Sequence, residues 1–313
     1  MELDEFLCLS FPLLNKRFLR RQVREGRILV DGNPASPSQR LHPDQVLSLD
    51  IDDETLPVDA PPAPTVELPV LLDDDGVLAI DKPAGLAVEP DRWQKDRPSL
   101  IVSLLATEEG RPRIVHRLDR DTTGVLLVAR TVEAERRLRE AFDAGVVTKT
   151  YLALVEGEHP LADGEEELVE LPIAPDAKKS GRMRSHADGK PARTRIRVET
   201  RYHGYTLMRC EPLTGRTHQI RVHLRELGFP LVVDPTYGRR KALALSEFKR
   251  DYRKKRGHVE HPLIDRLTLH AFSIEFPSST GERVRVESPI PRDLARVLKQ
   301  LAKVRPYNGR RPH

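Results

Sequence analysis

The first part of the chain combines short apolar segments with clusters of arginine, and this pattern predicts a small α+β unit. The segment Asn15 to Glu25 has helical spacing and is followed by Gly26, a residue type that commonly ends a helix. Ile28 to Val30 predicts a strand that leads into a tight turn at Asp31-Gly32. Val46 to Ile51 alternates apolar and polar residues and predicts a further strand.

The longer, second part of the chain mixes strand and helix patterns without a strict alternation. Val77 to Ile80, Val125 to Ala129 and Tyr151 to Val155 are short apolar runs that predict strands, the second of them fully buried. Thr131 to Ala144 predicts a helix with a threonine N-cap, and Thr217 to Leu227 predicts a helix with an apolar stripe. We therefore predict an α+β domain with a mixed, largely antiparallel sheet.

A proline-rich acidic stretch, Glu54 to Pro69, separates these two parts. It has no apolar periodicity, and its prolines favour an extended, semi-rigid connector. The chain has 313 residues, which is more than one domain of ordinary size. We expect a small domain over 1–53, this linker over 54–69, a large domain over 70–300 and a basic tail over 301–313.

Composition excludes several classes of protein. Hydrophobic residues make up 38% and charged residues 32% of the chain, as in a globular protein. The longest aliphatic run near the middle, Val125 to Ala129, is far shorter than the ~20 residues of a membrane-spanning helix. Cys8 and Cys210 lie far apart, which excludes a disulfide framework and a recognisable zinc site. The acidic N-terminus lacks the order of a signal peptide, so we expect a cytoplasmic protein without a membrane partner. We also expect a monomer.

Positive charge is concentrated in two places, although the net charge is only +4. Arg17, Arg20, Arg21 and Arg24 share one face of the first predicted helix, and we call them the arginine stripe. Like charges side by side repel one another, so we interpret the stripe as a contact for phosphate groups, with a merely solvated face as the alternative. The second concentration, Arg239 to Arg256, has no assigned role.

The N-terminal sequence resembles a known RNA-binding domain. Leu3-Asp4, followed by KRFLRRQVREGRILVDGNPAS and LHPDQVLSLDI, is similar to the S4-type domain. The resemblance implies that the basic helix rests against the backbone of folded RNA. This agrees with the interpretation of the arginine stripe from its charge.

The densest polar cluster, HRLDRDTTG (116–124), stands directly before the strand predicted to be fully buried. A carboxylate that enters a core costs several kcal/mol unless it is paired, so Asp119 needs a cation or hydrogen-bond donors nearby. Taken alone, Asp119 is equally consistent with an ordinary turn aspartate.

The longer run HRLDRDTTGVLLVAR resembles the catalytic motif of the RluA-type pseudouridine synthases, with Thr123 where serine is common. The related RsuA-type enzymes usually have glycine in place of His116 and lack the GRTHQIRVH pattern. Further segments match the RluA-type family in order: DKPAGL (81–86), VTKTYLALVEG (147–157), GRM with GKPART (181–183 and 189–194), LTGRTHQIRVH (213–223), DPTYG (234–238) and LHAFSIEF (269–276).

This resemblance implies the isomerisation of uridine within RNA, in which the N-glycosidic bond breaks and C5 of the uracil joins C1′. Bonds broken and made balance, so the resemblance implies no ATP, metal or organic cofactor. The family's essential aspartate corresponds to Asp119, which acts either as a nucleophile at C1′ or as a base at C2′. Its pairing arginine corresponds to Arg221, which would keep the carboxylate ionised.

Three further residues receive roles from the same resemblance. Tyr151 corresponds to the active-site tyrosine, which stacks on the target base and is placed to assist removal of the C5 proton. Arg117 corresponds to the arginine that takes the space of the flipped uridine. Arg216 would bind a phosphate or hold its own loop.

Two functions of other classes compete with this interpretation. A non-catalytic RNA-binding protein on the same fold would not need Asp119, Tyr151 and Arg221 together. A glycoside hydrolase using Asp119 and Asp121 would need a second carboxylate in a motif, and none is evident. Isomerisation of uridine in structured RNA therefore remains the leading hypothesis.

Three histidines lie in or near the matched motifs, and the sequence leaves two classes of RNA as candidate substrates. His116, His218 and His223 suggest a metal site, but the last two are five residues apart on a predicted helix and do not share one face well. We expect them to form structural hydrogen bonds. Ribosomal RNA and transfer RNA are both candidate substrates, and the S4-like domain favours ribosomal RNA.

Overall fold

The computed structural model describes residues 2–11, 14, 16–42, 44–50, 66–89, 99–107, 112–253 and 259–309. The chain forms two compact units. The first comprises Met1–Glu67 and Glu89–Glu109, and the second comprises Leu68–Val88 and Gly110–His313. Most of the predicted linker, 54–65, and residues 310–313 of the predicted basic tail lie outside the described residues.

The first unit is a small α+β structure, as its pattern predicts. It contains the helices α1 (Leu3–Ser10) and α2 (Lys16–Arg24), a three-stranded antiparallel sheet of β1 (Ile28–Val30), β2 (Asn33–Pro34) and β3 (Leu47–Leu49), and the helix α3 (Leu100–Thr107). Leu7, Leu19, Val23 and Ile28 are among its buried core residues. The predicted helix over Asn15 to Glu25 is confirmed to within one residue at each end.

The second unit is built on one large sheet. Its strands are β4 (Val70–Asp74), β5 (Val77–Lys82), β6 (Arg113–Ile114), β7 (Thr123–Ala129), β8 (Thr148–Glu156), β9 (Glu166–Glu170), β10 (Ile173–Pro175), β11 (Met183–Ser185), β12 (Arg193–Tyr202), β13 (Tyr205–Pro212), β14 (Leu269–Pro277) and β15 (Arg283–Glu287). The order is β4-β5-β7-β14-β8-β13-β12-β9, with β6 beside β7 and β15 beside β14, while β10 and β11 form a separate hairpin. Among the described strand pairs, β7 and β14 run parallel and the others run antiparallel, which confirms the predicted mixed sheet.

Helices cover this sheet and complete two cores. These are α4 (Val132–Asp143), α5 (Gln219–Glu226), the short 3-10 helix Leu245–Glu247 and α6 (Arg292–Val304). Leu138 of α4 packs in a core with Val125 and Leu127, whereas Leu294 and Leu301 of α6 belong to a second core. None of the described helices combines the length and hydrophobicity that spanning a bilayer requires.

The close approach of β7 to β14 depends on one glycine. Gly124 has φ +111°, and a Cβ placed there would lie 2.1 Å from the carbonyl oxygen of Ala271. Only glycine fits such a conformation and such a contact. Every residue of β7 is buried, so this tight pairing fixes where the preceding loop, which carries Asp119, enters the sheet.

Candidate active site

The loop between β6 and β7 presents Asp119 at the edge of the core. The preceding residue, Leu118, is buried and anchors the loop, while the Thr122 backbone N–H donates to the Asp119 carbonyl oxygen at 3.1 Å. The Asp119 side chain is 26% exposed. The carboxylate is therefore held in a fixed place and still reached by solvent or a ligand.

Arg221, on the inward face of α5, joins Asp119 to a second carboxylate. Its Nη1 donates to Asp119 Oδ2 at 2.9 Å, and its Nε and Nη2 donate to the two oxygens of Asp234 at 2.8 Å each. The Arg221 side chain is 6% exposed and that of Asp234 is 1% exposed. The bidentate pair with Asp234 fixes the guanidinium plane, so that its remaining edge points at Asp119.

The two carboxylate partners of Arg221 stabilise its positive charge. Burial by itself would lower the pKa of Arg221, but the hydrogen bonds and charges of Asp234 and Asp119 outweigh it and raise that pKa above its ordinary value. The guanidinium therefore stays charged at every working pH and places a permanent cation 2.9 Å from Asp119 Oδ2. The predicted pairing of Arg221 with Asp119 is present in the structure.

Asp234 has no role in the sequence predictions, although it lies in the DPTYG segment that matched the family. Besides holding Arg221, its Oδ1 accepts the backbone N–H groups of Thr236 at 2.8 Å and Tyr237 at 3.0 Å. These bonds orient the carboxylate and stabilise it in the core. An aspartate followed by a tight turn and a tyrosine is the sequence signal that could have indicated such an anchor.

Tyr151 lies on β8, beside the same site. Its side chain is 9% exposed, and its neighbours in register are Cys210 on β13 and Ala271 on β14. Burial raises the pKa of Tyr151 well above its ordinary value, and the nearby charge of Asp119 raises it further. The phenol is therefore neutral in the resting site.

Lys82, at the end of β5, clamps the loop that carries Asp119. Its fully buried Nζ donates to the carbonyl oxygens of Pro83 at 2.9 Å, Leu86 at 2.8 Å and Arg120 at 2.8 Å. Arg120 directly follows Asp119, so these bonds tie the loop to the turn after β5. The DKPAGL segment matched the family, but the sequence predictions assigned its lysine no role.

The free energy of unfolding of the wild type, measured relative to a Lys82→Met variant, should rise between about pH 7 and pH 10.5. Burial lowers the pKa of Lys82 from 10.5 to about 7, and the charges of Asp121 and Asp119 oppose this only in part. In this window the unfolded chain holds the lysine proton and the folded chain does not, so unfolding takes up a proton and higher pH opposes it.

The difference in unfolding free energy between the wild type and Lys82→Met should rise by at most about 1.4 kcal/mol per pH unit. Urea denaturation of both proteins, followed by circular dichroism at several pH values, measures it. A difference that stays constant across the window would show that the three carbonyl groups keep Lys82 protonated.

Arg216 and Arg117 differ in their surroundings. Arg216 Nε donates to the Pro191 carbonyl oxygen at 3.0 Å, and the Arg216 backbone N–H donates to Gln219 Oε1 at 3.0 Å. These contacts correspond to the loop-holding role considered for Arg216. Arg117 is exposed and stands two residues before Asp119 on the same loop.

The three histidines form hydrogen bonds within the fold. His116 Nε2 accepts the Leu127 N–H at 2.9 Å, and His223 Nε2 lies 3.0 Å from the Leu171 carbonyl oxygen. His218 Nδ1 lies 2.8 Å from the Tyr237 hydroxyl. Within the part of the chain that the structure describes, no group of three or more His, Cys, Asp or Glu is arranged to hold a metal ion.

The arginine stripe lies on α2 in the first unit, where Arg20 and Arg21 have internal partners. Arg21 lies 3.6 Å from the exposed Glu25. Arg20 donates to the buried Asp4 at 2.7 Å through Nε, and Lys16 lies 2.9 Å from the same carboxylate. Burial alone would raise the pKa of Asp4, but the hydrogen bonds and charges of Lys16 and Arg20 hold it below its usual value. Arg17, Arg21 and Arg24 are exposed.

Replacing Arg17, Arg21 and Arg24 with Gln should weaken RNA binding and flatten its dependence on salt. Each lost phosphate contact lowers the slope of log K against log[salt] by about 0.7 to 0.9, so three contacts lower it by about 2 or more. Arg20 is kept because its pair with Asp4 stabilises the first unit. Turnover at saturating RNA should stay within about twofold, because phosphate contacts position the RNA and perform no chemistry.

A triple variant with Arg136, Arg292 and Arg296 changed to Gln removes the same charge from exposed positions on other helices and serves as the control. Binding titrations at two salt concentrations compare both variants with the wild type. Equal dissociation constants and salt slopes in all three proteins would remove the stripe from the RNA-binding surface.

Comparison with known proteins identifies the family. Residues 76–226 match the family described as RNA pseudouridylate synthase, and residues 1–47 match the S4 domain. The chain is 37% identical over 307 residues to "Ribosomal large subunit pseudouridine synthase D" of Xanthomonas campestris pv. campestris, covering 95% of this chain and 88% of that protein. It is 33% identical over 312 residues to "Ribosomal large subunit pseudouridine synthase C" of Escherichia coli K12, covering 97% and 93%.

A solved structure supports the same assignment. "Human RNA Pseudouridylate Synthase Domain Containing 1" has a TM-score of 0.56 and 27% identity, covering 72% of this chain and 84% of that chain. Asp119, Tyr151 and Arg221 all lie within the matched residues 76–226. The predicted family and fold class are thus confirmed, and the chain belongs to the RNA pseudouridylate synthase family, with an S4 domain at its N-terminus.

Proposed function

We propose that this protein converts uridine to pseudouridine in the RNA of the large ribosomal subunit. The observation that carries the proposal is the buried guanidinium of Arg221, which is locked by Asp234 and binds the partly exposed Asp119 carboxylate at 2.9 Å. Membership of the pseudouridylate synthase family and the names of the two relatives, which refer to the ribosomal large subunit, support it.

Asp119 acts at the ribose as an anion. Attack at C1′ and proton removal at C2′ both need an ionised carboxylate, and Arg221 provides that state without occupying both oxygens, since its contact goes to Oδ2. In the overall reaction the N1–C1′ bond breaks, a C5–C1′ bond forms, the C5 proton leaves and N1 gains a proton. Deuterium at C2′ of the target uridine would slow the second route and leave the first nearly unchanged.

Tyr151 contributes an aromatic face and a neutral hydroxyl. Because its pKa is raised by burial and by Asp119, the resting phenol is a poor base. Stacking on the uracil is therefore its main role, and the flipped base gains about 1–3 kcal/mol from such stacking. Extrusion of the uridine costs a few kcal/mol, and the exposed Arg117, two residues before Asp119, takes the place that the uridine leaves.

The first unit binds the same RNA through its phosphate backbone. Its S4 domain carries the exposed arginines of the stripe, which suit the phosphate backbone of folded RNA. The enzyme acts as a monomer in the cytoplasm, where ribosomal RNA is its partner. No co-reactant takes part, because the isomerisation is internally balanced.

The test uses purified protein and two transcripts, large-subunit ribosomal RNA and a pool of transfer RNA. Chemical mapping of pseudouridine after incubation should show modification at defined positions of the ribosomal RNA. Modification confined to transfer RNA would move the substrate to the alternative class, and modification of neither RNA would contradict the proposed function.

A further inference from the structure

Tyr237 lies between the β10–β11 hairpin and the charged site. Its ring packs between two guanidinium groups, with Arg182 Cζ at 5.2 Å and Arg221 Cζ at 4.9 Å from the ring centroid. The side chain is 8% exposed. Its hydroxyl oxygen accepts the Met183 backbone N–H at 2.8 Å and lies 2.8 Å from His218 Nδ1. None of these contacts is explained by the roles assigned so far.

The hydrogen-bond inventory of this hydroxyl determines the tautomer of His218. The Met183 N–H can only donate, so it occupies one acceptor position of the Tyr237 oxygen. The hydroxyl proton then needs an acceptor, and the His218 Nδ1 atom at 2.8 Å provides one. A buried donor without a partner is costly, which disfavours the reverse arrangement. A neutral His218 therefore carries its proton on Nε2.

The Nε2 atom of His218 lies on the catalytic side of the ring. It is 3.9 Å from Asp119 Oδ2, the same oxygen that Arg221 contacts at 2.9 Å. Closing the gap to a hydrogen bond needs an approach of about 1 Å. His218 also has φ +58°, a left-handed conformation that is rare for a residue with a side chain and that clusters at functional sites.

We propose that Tyr237 and His218 are positioning residues, which hold a neutral Nε2–H donor beside Oδ2 of Asp119 and thereby leave Oδ1 to act on the ribose. The inference rests on the proposed function, because it assigns the two residues a part in that reaction. Arg221 supplies the charge that keeps Asp119 ionised. His218 orients the Asp119 carboxylate through a neutral N–H group. A second positive charge at this place would make the carboxylate less reactive.

Protonation of His218 would disrupt its hydrogen bond with the Tyr237 hydroxyl and add a positive charge beside Asp119. The groups that face its ring are Tyr237, Asp119, Arg221 and Asp234. Burial lowers the pKa of His218, Asp119 and Asp234 oppose this, and Arg221 reinforces it. An imidazolium would present a second N–H to the Tyr237 hydroxyl and leave the hydroxyl proton without an acceptor. Activity should therefore fall on the acid side, when His218 gains a proton.

The tautomer is tested first, by long-range ¹H–¹⁵N spectra of the ¹⁵N-histidine-labelled protein without RNA. A His218→Gln variant assigns the signal among the 11 histidines. We expect the Nε2–H form in the wild type and a mixture of both tautomers in Tyr237→Phe. A wild-type spectrum showing the Nδ1–H form overturns the inference, whether or not the protein modifies uridine.

Kinetics then tests the role in the reaction. Tyr237→Phe should lower kcat about tenfold and leave KM for RNA within about twofold. The acid limb of the plot of kcat against pH should move up by about half a pH unit, because Nδ1 of the neutral His218 loses the hydroxyl that donates to it and the pKa of His218 rises. His218→Gln keeps a neutral amide donor and should remove that limb. Tyr205→Phe changes an equally buried tyrosine in another core and is the control.

Two outcomes contradict this role while leaving the proposed function intact. One is a Tyr237→Phe enzyme with wild-type kcat and an unshifted acid limb. The other is a loss of kcat in Tyr237→Phe that Tyr205→Phe shares to the same extent, which would show a general effect on the fold. Absence of uridine modification by the wild-type enzyme would instead contradict the proposed function.

Discussion

Replacing Asp119 with Asn should abolish pseudouridine formation, with a loss of roughly 10⁴-fold or more, as expected when a nucleophile or base is removed. The amide is nearly the same size, and Arg221 remains held by both oxygens of Asp234, so the fold around the loop should persist. RNA binding should stay within a few fold, because the lost group acts in the chemical step. Tritium release from RNA labelled at C5 of uridine measures turnover.

Asp121→Asn is the matched control for this variant. Asp121 lies two residues further along the same loop and pairs with the exposed Arg120 at 3.3 Å. This variant should keep most of the activity. Equal losses in the two variants would point to disruption of the loop, and measurable turnover by Asp119→Asn would remove that residue from the chemistry.

Replacing Arg221 with Lys should lower kcat by about 10²-fold, although the charge is conserved. Lysine is a point charge and cannot span Asp234 with two bonds while it also contacts Asp119. A displaced or turned carboxylate is enough for a loss of this size. Stability should also fall, by about 1–3 kcal/mol, because the buried Asp234 loses a donor.

Arg225→Lys serves as the control for the Arg221 variant. It makes the same chemical change one turn further along α5, where the side chain is 37% exposed and lies 3.4 Å from Glu226. Its kcat and melting temperature should match those of the wild type. If Arg221→Lys also keeps near-normal kcat, the pairing with Asp119 does not determine the chemistry.

The strands and helices with strong periodicity were predictable, and their ends were not. β7 begins at Thr123, two residues before the apolar run, because the buried Thr123 hydroxyl bonds to His270 at 3.0 Å. α5 begins at Gln219 and not at Thr217, because His218 adopts a left-handed conformation and the Gln219 side chain closes the turn through Arg216. Both shifts of an element's start depend on contacts of individual side chains that the pattern of apolar and polar residues does not show.

The outer strands of the sheet show another limit of pattern reading. β9 is rich in Glu and β12 is rich in Arg, and the two strands pair with each other, as in the register of Arg197 with Glu166. The charged residues obscure a short alternation in which Val169, Thr194 and Ile196 are buried, and β12 pairs with β13 on its other side. Charged edges of this kind also resist pairing with other chains.

The candidate active site also contains residues that the sequence analysis assigned and residues that it did not assign. Asp119, Tyr151 and Arg221 were assigned from the resemblance of their motifs, and the structure brings Arg221 and Asp119 together across 102 positions of sequence. Lys82 and Asp234 were not assigned, although each lies in a matched segment, because their roles consist of contacts to backbone carbonyls and to a neighbouring side chain. Such roles become visible only when the distances are known.

The most direct measurement of the central claim is made in cells. Pseudouridines in large-subunit ribosomal RNA are mapped in a strain without the gene, in the same strain carrying the wild-type gene, and in that strain carrying Asp119→Asn at equal protein level. Defined pseudouridines should disappear in the strain without the gene, return with the wild-type gene and stay absent with Asp119→Asn. Identical maps in all three strains, or restoration by Asp119→Asn, would contradict that claim.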